Sequence, residues 1–236
     1  EALIRLQTEE YGFISPEEFI PIAEENGQII EIGAYVFDEV CRFYKSHQME
    51  QMGVEYVEVN LSTVQCMDQE LVESFKKTLK KYQISSERIN LEITESAAAG
   101  NRRALNDNVN VLNGLGFTFS LDDYGTGYSN FDRIIELPFD IIKFDRSLVI
   151  ASGSDVKSET MVSYLAHMFS DLHYSVLYEG IETAKDEDMC INMCARYLQG
   201  YKYSKPIPIE QLTDYFEKTG EAEASPPHRP SKNPDF

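Results

Sequence analysis

The sequence predicts an α/β protein, a modified (β/α) barrel of the TIM type, on three observations. Strand-like apolar runs alternate with helix-like amphipathic stretches, the order that builds a parallel sheet through right-handed crossovers. Seven strand-like segments recur at intervals of roughly 20–35 residues, close to the eight units of such a barrel. Polar residues stand at or near the segment ends, where a parallel barrel gathers its functional groups at one mouth. An open doubly wound sheet is the alternative, but no G-x-G-x-x-G follows the first strand.

Each element has its own signal. EALIRL (1–6) reads as a short strand. SPEEFIPIAEENG (15–27) predicts a helix, with Ser15 as N-cap, Pro16 at the first helical position and Gly27 closing it. Helical apolar spacing continues over 28–47, and VEYVEVN (54–60) alternates as a strand ending on Asn60. An amphipathic helix over 68–82 leads to the strand INLEIT (89–94), which contains Glu92. A helix over 103–116 precedes the strand FTFSL (117–121), and a short helical piece around 131–137 precedes the buried strand FDIIKFD (139–145), which carries Lys143. There follow a helix over 158–173, the strand YSVLYE (174–179) ending on Glu179, a helix over 184–194, the segment RYLQGY (196–201) with Gln199, and a helix over 209–220. The C-terminal residues are Pro-rich and polar, so a folded body over 1–218 and a disordered tail over 219–236 are expected.

Composition bounds the function. The chain has 236 residues, 42% apolar and 11% aromatic, enough to bury a sizeable core. Its net charge of −19, from 40 acidic and 21 basic residues, argues against binding DNA or RNA polymers or an anionic membrane. No apolar run approaches the roughly 18–20 residues that cross a bilayer, and no basic n-region precedes an apolar stretch, so a cytoplasmic protein without membrane contact is expected. The four cysteines, Cys41, Cys66, Cys190 and Cys194, suit a reducing compartment rather than a disulfide framework. Cys190 and Cys194 lack companion ligands and read as small buried apolar residues rather than a zinc pair.

The stretch LDDYGTGYSN (121–130) needs a chemical explanation. Adjacent side chains alternate across a strand, so Asp122 and Asp123 start on opposite faces, and two neighbouring carboxylates repel unless a cation joins them. Across the chain, Glu1, Asn60, Glu92, Asp122, Asp123, Lys143, Glu179 and Gln199 all fall at or near strand ends. Lys143 inside IIKFD and Glu92 inside INLEI are costly in buried strands unless paired or metal-bound. Hard oxygen donors without a His/Cys cluster suit Mg²⁺ or Mn²⁺, and a shared carboxylate such as Asp122 is the device used to hold two ions for phosphoester hydrolysis. The competing readings are a set of internal salt bridges, with Lys143 pairing Asp123, and a Mg²⁺-dependent barrel enzyme acting on an enolisable acid with Lys143 as base.

In order along the chain, EALIR (1–5), FIPIAEENG (19–27), VNLS (59–62), LEITES (91–96), LDDYGTGYSN (121–130), IIKFDRS (141–147), EGIET (179–183) and QGYKYSKPIP (199–208) resemble the EAL domain family. These are the phosphodiesterases that cleave the bacterial second messenger cyclic di-GMP to linear pGpG. The resemblance covers about residues 1–217. It implies one Mg²⁺ or Mn²⁺ ion on Glu1, Asn60, Glu92 and Asp122, and a second on Asp122 and Asp123 with Glu179 on that ion or its water. It implies catalytic roles for Lys143, Glu179 and Asp123, a phosphate contact for Arg5, and guanine and second-phosphate contacts for Glu182, Gln199 and Pro206. Glu95 is implied to anchor the loop that follows the aspartates.

The family further implies a bacterial cytoplasmic signalling protein, a homodimer through the face near 121–135, and fusion to sensor or cyclase modules. Non-catalytic cyclic di-GMP receptors of this type usually lose one of Glu1, Asn60, Glu92, Asp122 or Lys143, and all are present here. Tyr124, Phe144 and Tyr178 depart from the family pattern without removing a ligand. Family members carry a further strand with a Tyr-Gln-Pro motif ahead of the EAL segment. The expectation is therefore a barrel missing its first strand upstream of Glu1, with Glu1 frayed and metal affinity reduced.

Overall fold

The computed structural model describes residues 1–98, 103–127 and 131–220. It opens with an antiparallel hairpin, β1 (Leu6–Thr8) and β2 (Gly12–Ile14), which periodicity cannot detect because each strand has only three residues. The expected strand over 1–6 is corrected accordingly. Only Ala2 pairs with the main sheet, through a parallel bridge to Val59 and an N–H donated to Glu58 O at 2.8 Å.

The main sheet has six parallel strands in sequential order: β3 (Val57–Asn60), β4 (Ile89–Thr94), β5 (Thr118–Tyr124), β6 (Ile141–Phe144), β7 (Ser175–Tyr178) and β8 (Tyr197–Leu198). The connecting helices are α1 (Pro16–Glu25), α2 (Ile29–Ser46), α3 (Thr63–Cys66), α4 (Leu71–Tyr82), α5 (Glu95–Ala98), α6 (Arg103–Gly114), α7 (Phe131–Glu136), α8 (Arg146–Ser154), α9 (Val156–Asp171), α10 (Ala184–Asn192) and α11 (Ile209–Gly220). This is the curled parallel sheet with outer helices of a modified TIM-type barrel. The rings of Tyr56 and Tyr197 meet edge to face at 6.4 Å, so the curl brings the start of β3 near β8.

Strand parity sorts the side chains into two buried faces. Val59, Leu91, Ile93, Phe119, Leu121, Ile142, Phe144, Val176 and Tyr178 point to the helices and form one core with Phe37, Phe75, Leu105, Val109, Leu112 and Phe117. Each such apolar side chain contributes roughly 1.5–3 kcal/mol on burial. The alternate positions Glu58, Asn90, Glu92, Ser120 and Lys143 are buried and polar. Among them Ser120 Oγ donates to Asn90 Oδ1 at 2.7 Å, and Asn90 Nδ2 donates to Thr118 Oγ1 at 3.0 Å.

Helix ends follow local chemistry. Pro16 opens α1 after an extended Ser15, and Thr183 and Asp186 form a reciprocal capping box on α10. The single helix expected over 158–173 is instead preceded by α8, a separate helix started by Asp145, whose side chain accepts from Ser147 N–H at 2.8 Å. Asp155 then caps α9 through the N–H groups of Lys157 and Ser158. Cys190 is buried and Cys194 half-buried. Among the described residues, no helix is long and apolar enough to cross a membrane. Of the tail expected over 219–236, residues 219–220 instead close α11, and 221–236, with Tyr128, Ser129 and Asn130 of the aspartate loop, lie outside the described residues.

Candidate functional site

Lys143 on β6 is the centre of the site. It is 0% exposed, and its ammonium donates to Glu92 Oε1 on β4 and to Glu179 Oε1 at 2.9 Å. Asp122 Oδ1 on β5 lies at 3.2 Å and Glu1 Oε2 at 4.0 Å. Four carboxylates thus surround one lysine, and the ion pair that the competing salt-bridge reading drew from Lys143 to Asp123 is made with Asp122 instead.

The twin aspartates reach one face because the strand is bulged. Leu121 pairs with Ile142 and Tyr124 with Phe144, so three steps of β5 are set against two of β6, and Asp123 takes φ 58°. An inserted residue breaks the alternation that would send Asp123 to the other side. One oxygen each from Asp122, Asp123 and Glu179 consequently lie within 4.8 Å of one another. Tyr124 is turned into the core, stacked on Phe144 at 5.4 Å.

A second group lies beside the first. Oxygens of Glu1, Glu58 and Glu92 also lie within 4.8 Å of one another. Glu1 is held rather than frayed: Asn60 Nδ2 donates to its Oε1 at 2.8 Å, Gln199 Nε2 donates to its Oε2 at 3.0 Å, and its side chain is 13% exposed. Gln199 can reach because Gly200 lets the chain press against Ile181. A Cβ at Gly200 would fall 2.2 Å from the Ile181 carbonyl oxygen. Glu58 was not singled out from the sequence. Its signal was its place two residues before Asn60, on the same strand face.

The electrostatics follow from burial and crowding. Burial opposes the charged form of Lys143, but Glu92, Asp122 and Glu179 outweigh it and raise its pKa above the lysine range. Burial pushes Glu92 well above the carboxylate range against the pull of Lys143, and raises Glu58 as well. Burial raises Glu179 to about 7, with Lys143 opposing and Asp122 adding to the shift. Asp123 is raised by burial and then by Asp122. Burial also works against the Glu1 carboxylate, but Lys143, Asn60 and Gln199 leave its pKa lowered.

The remaining expected site residues stand apart. Arg5 is exposed and Nη1 donates to Ile4 O at 2.9 Å, Glu182 pairs with Arg146 at 2.7 Å, and Pro206 is exposed. None of the three makes a hydrogen bond or ion pair with the acidic cluster. Glu95 is buried at the start of α5, and its Oε2 accepts the Gly125 N–H at 3.2 Å, joining it to the start of the aspartate loop. Gly125 is there at φ 103°, a conformation that side chains resist.

Among the described residues, four buried side-chain oxygens lack a hydrogen-bond partner: Glu58 Oε1, Glu92 Oε2, Glu95 Oε1 and Asp122 Oδ1. Three of them belong to the two acidic groups. Orphaned buried oxygens in an all-oxygen donor set fit a hard divalent cation.

Comparison with known proteins places the chain in a family. The family model described as the EAL domain matches residues 1–206. The cyclic di-GMP phosphodiesterase PdeR of Escherichia coli is 30% identical over 92% of this chain and 33% of its own length. The bifunctional diguanylate cyclase/cyclic di-GMP phosphodiesterase MucR of Pseudomonas aeruginosa is 32% identical over 90% of this chain and 31% of its own length. The signaling protein YkoW of Bacillus subtilis is 33% identical over 91% of this chain and 27% of its own length. The chain therefore spans about a quarter to a third of these relatives. A solved structure of the MucR phosphodiesterase in complex with c-di-GMP superposes with a TM-score of 0.81 at 31% identity, covering 89% of this chain and 85% of that one. The chain belongs to the EAL domain family.

Proposed function

We propose that this chain is a metal-dependent phosphodiesterase that hydrolyses cyclic di-GMP to linear pGpG. The observation that carries the reading is the pair of acidic groups around Lys143, with Glu92 Oε2 buried and unpartnered and Asp122 Oδ1 buried with only an ion-pair contact to Lys143 at 3.2 Å. Glu1, Asn60, Glu92 and Asp122 would hold one Mg²⁺ or Mn²⁺, and Asp122, Asp123 and Glu179 a second. Ions bound there would acidify a water and offset the charge of the diester.

The chain's own groups supply the rest. Lys143, kept cationic by its carboxylates, stabilises the negative charge that grows on the phosphoryl oxygens. Glu179, whose Oε1 accepts from the Lys143 ammonium at 2.9 Å, would orient the attacking water beside the second ion. Asn60 and Gln199 fix the two oxygens of Glu1. Arg5, exposed beside the EAL segment, contacts a phosphate. Glu182 and Pro206, with Gln199, lie toward the guanine end, and Glu95 holds the aspartate loop. Phe131 and Ile135 on α7 are exposed and belong to the face on which a homodimer would form. In a longer protein this unit would be joined to sensor or cyclase modules and act in the bacterial cytoplasm.

Product analysis tests the reading. The chain is incubated with cyclic di-GMP and Mg²⁺ or Mn²⁺ beside a Glu92→Ala variant. Metal-dependent pGpG, absent in the variant, is expected. Binding of the dinucleotide without turnover would instead make the chain a receptor.

A further inference from the structure

We propose that Glu58 is a further cation ligand, donating an oxygen to the same hard divalent ion that Glu1 and Glu92 would hold. The proposal rests on the metal-dependent reading above and adds a residue which that reading does not use.

The position is set by β3. Glu58 and Asn60 share a strand face, and a rise of about 3.3 Å per residue puts Glu58 roughly 7 Å deeper in the sheet. Register places Glu58 beside Asn90 and Asn60 beside Glu92. Even so, the Glu58 carboxylate comes within 4.8 Å of the Glu1 and Glu92 oxygens, so its side chain reaches up toward the mouth and not toward Asn90. The Asn90 Oδ1 is already taken by Ser120.

Glu58 is 6% exposed and Glu92 is 1% exposed, and Glu58 Oε1 and Glu92 Oε2 both lack a partner. The Lys143 ammonium is spent on Glu92, Glu179 and Asp122, with Glu1 at 4.0 Å. Among the described residues, no basic side chain lies within ion-pair distance of Glu58. A buried carboxylate left in that state loses its solvation with nothing to offset it. One cation between Glu58 Oε1 and Glu92 Oε2 satisfies both orphaned atoms together. With only carboxylate and amide oxygens at hand, the ion is Mg²⁺ or Mn²⁺ in type.

The test uses Mn²⁺-soaked crystals of the wild-type chain and anomalous scattering. A manganese peak about 2.0–2.3 Å from oxygens of both Glu58 and Glu92 is expected. Manganese bound by Glu1, Glu92 or the aspartates, with none at that distance from Glu58, overturns the Glu58 assignment and leaves the metal-dependent reading standing. No bound manganese at all overturns both. In solution, calorimetric Mn²⁺ titration of Glu58→Gln should show one ion weakened by about 10–100-fold, while Asp123→Asn weakens the other. Unchanged affinities in a Glu58→Gln protein that melts cooperatively would also overturn the proposal.

Discussion

Lys143 and Phe144 are neighbours on β6 and both are 0% exposed, but their surroundings have nothing in common. The Phe144 ring lies among Tyr124, Phe169 and Tyr178 at centroid distances of 5.4, 6.0 and 5.1 Å. The Lys143 ammonium lies among Glu92, Asp122 and Glu179. Aromatic pairs of this kind add about 0.5–1.5 kcal/mol each beyond their buried area. On the other face, carboxylates outnumber their single lysine, and burial penalises every one left charged. One face of the sheet therefore stabilises the fold, and the other gives up part of that stability to gather buried carboxylates around one lysine.

The largest expected effect comes from breaking the outer face. Phe144→Ala should cost about 3–5 kcal/mol of stability by urea denaturation. A loss below about 1 kcal/mol, within the range of an ordinary surface change, would mean that the aromatic cluster is not what offsets the charged face. Lys143→Met sharpens the contrast from the other side. It should lower kcat for cyclic di-GMP by about 10²–10³-fold, the effect of removing one charge-stabilising donor, with circular dichroism unchanged. Near-normal turnover would assign the charge stabilisation to another group.

The smallest effect is a pH dependence of the metal-free protein. A carboxyl raised in the folded state contributes stability that is complete below its unfolded pKa and is lost as pH rises through the folded value. For Glu179 that window runs from the ordinary 4.5 to about 7, and the raised Glu58, Glu92 and Asp123 act in the same direction. Glu1, which is lowered, gives stability that is lost only below its ordinary 4.5, so it leaves this window flat. Thermal melts without metal should therefore show Tm falling between pH 5 and about 7, and saturating Mn²⁺ should flatten the fall. A metal-free Tm that rises through this window would show the carboxylates to be better paired than their geometry indicates.

Much of this contrast was legible in the amino-acid order. The strand INLEIT (89–94) coincides with β4, and the period of two in IIKFD separates Lys143 from Phe144. The Glu58 assignment was missed because alternation in VEYVEVN reads the same for a sheet with one wet face as for one curled around polar side chains. The Glu1 contacts were missed because Gln199, which secures it, lies 198 residues away. The hairpin of β1 and β2 and the short helix α8 were too brief for periodicity to register.

The sequence by itself determined the order of strands and helices, the parity of each side chain on its strand, and an all-oxygen donor set at the strand ends. These are local properties, set by the period of the backbone and the chemistry of single residues. Only the tertiary structure decided that Asp122 and Asp123 share a face, since that requires the β5 bulge opposite β6. It likewise decided that Glu58 meets Glu92, and that Glu1 is held between Asn60 and Gln199. Those meetings depend on the register and curl of the whole sheet, because a carboxylate's partners are chosen by distance in space and not by separation along the chain.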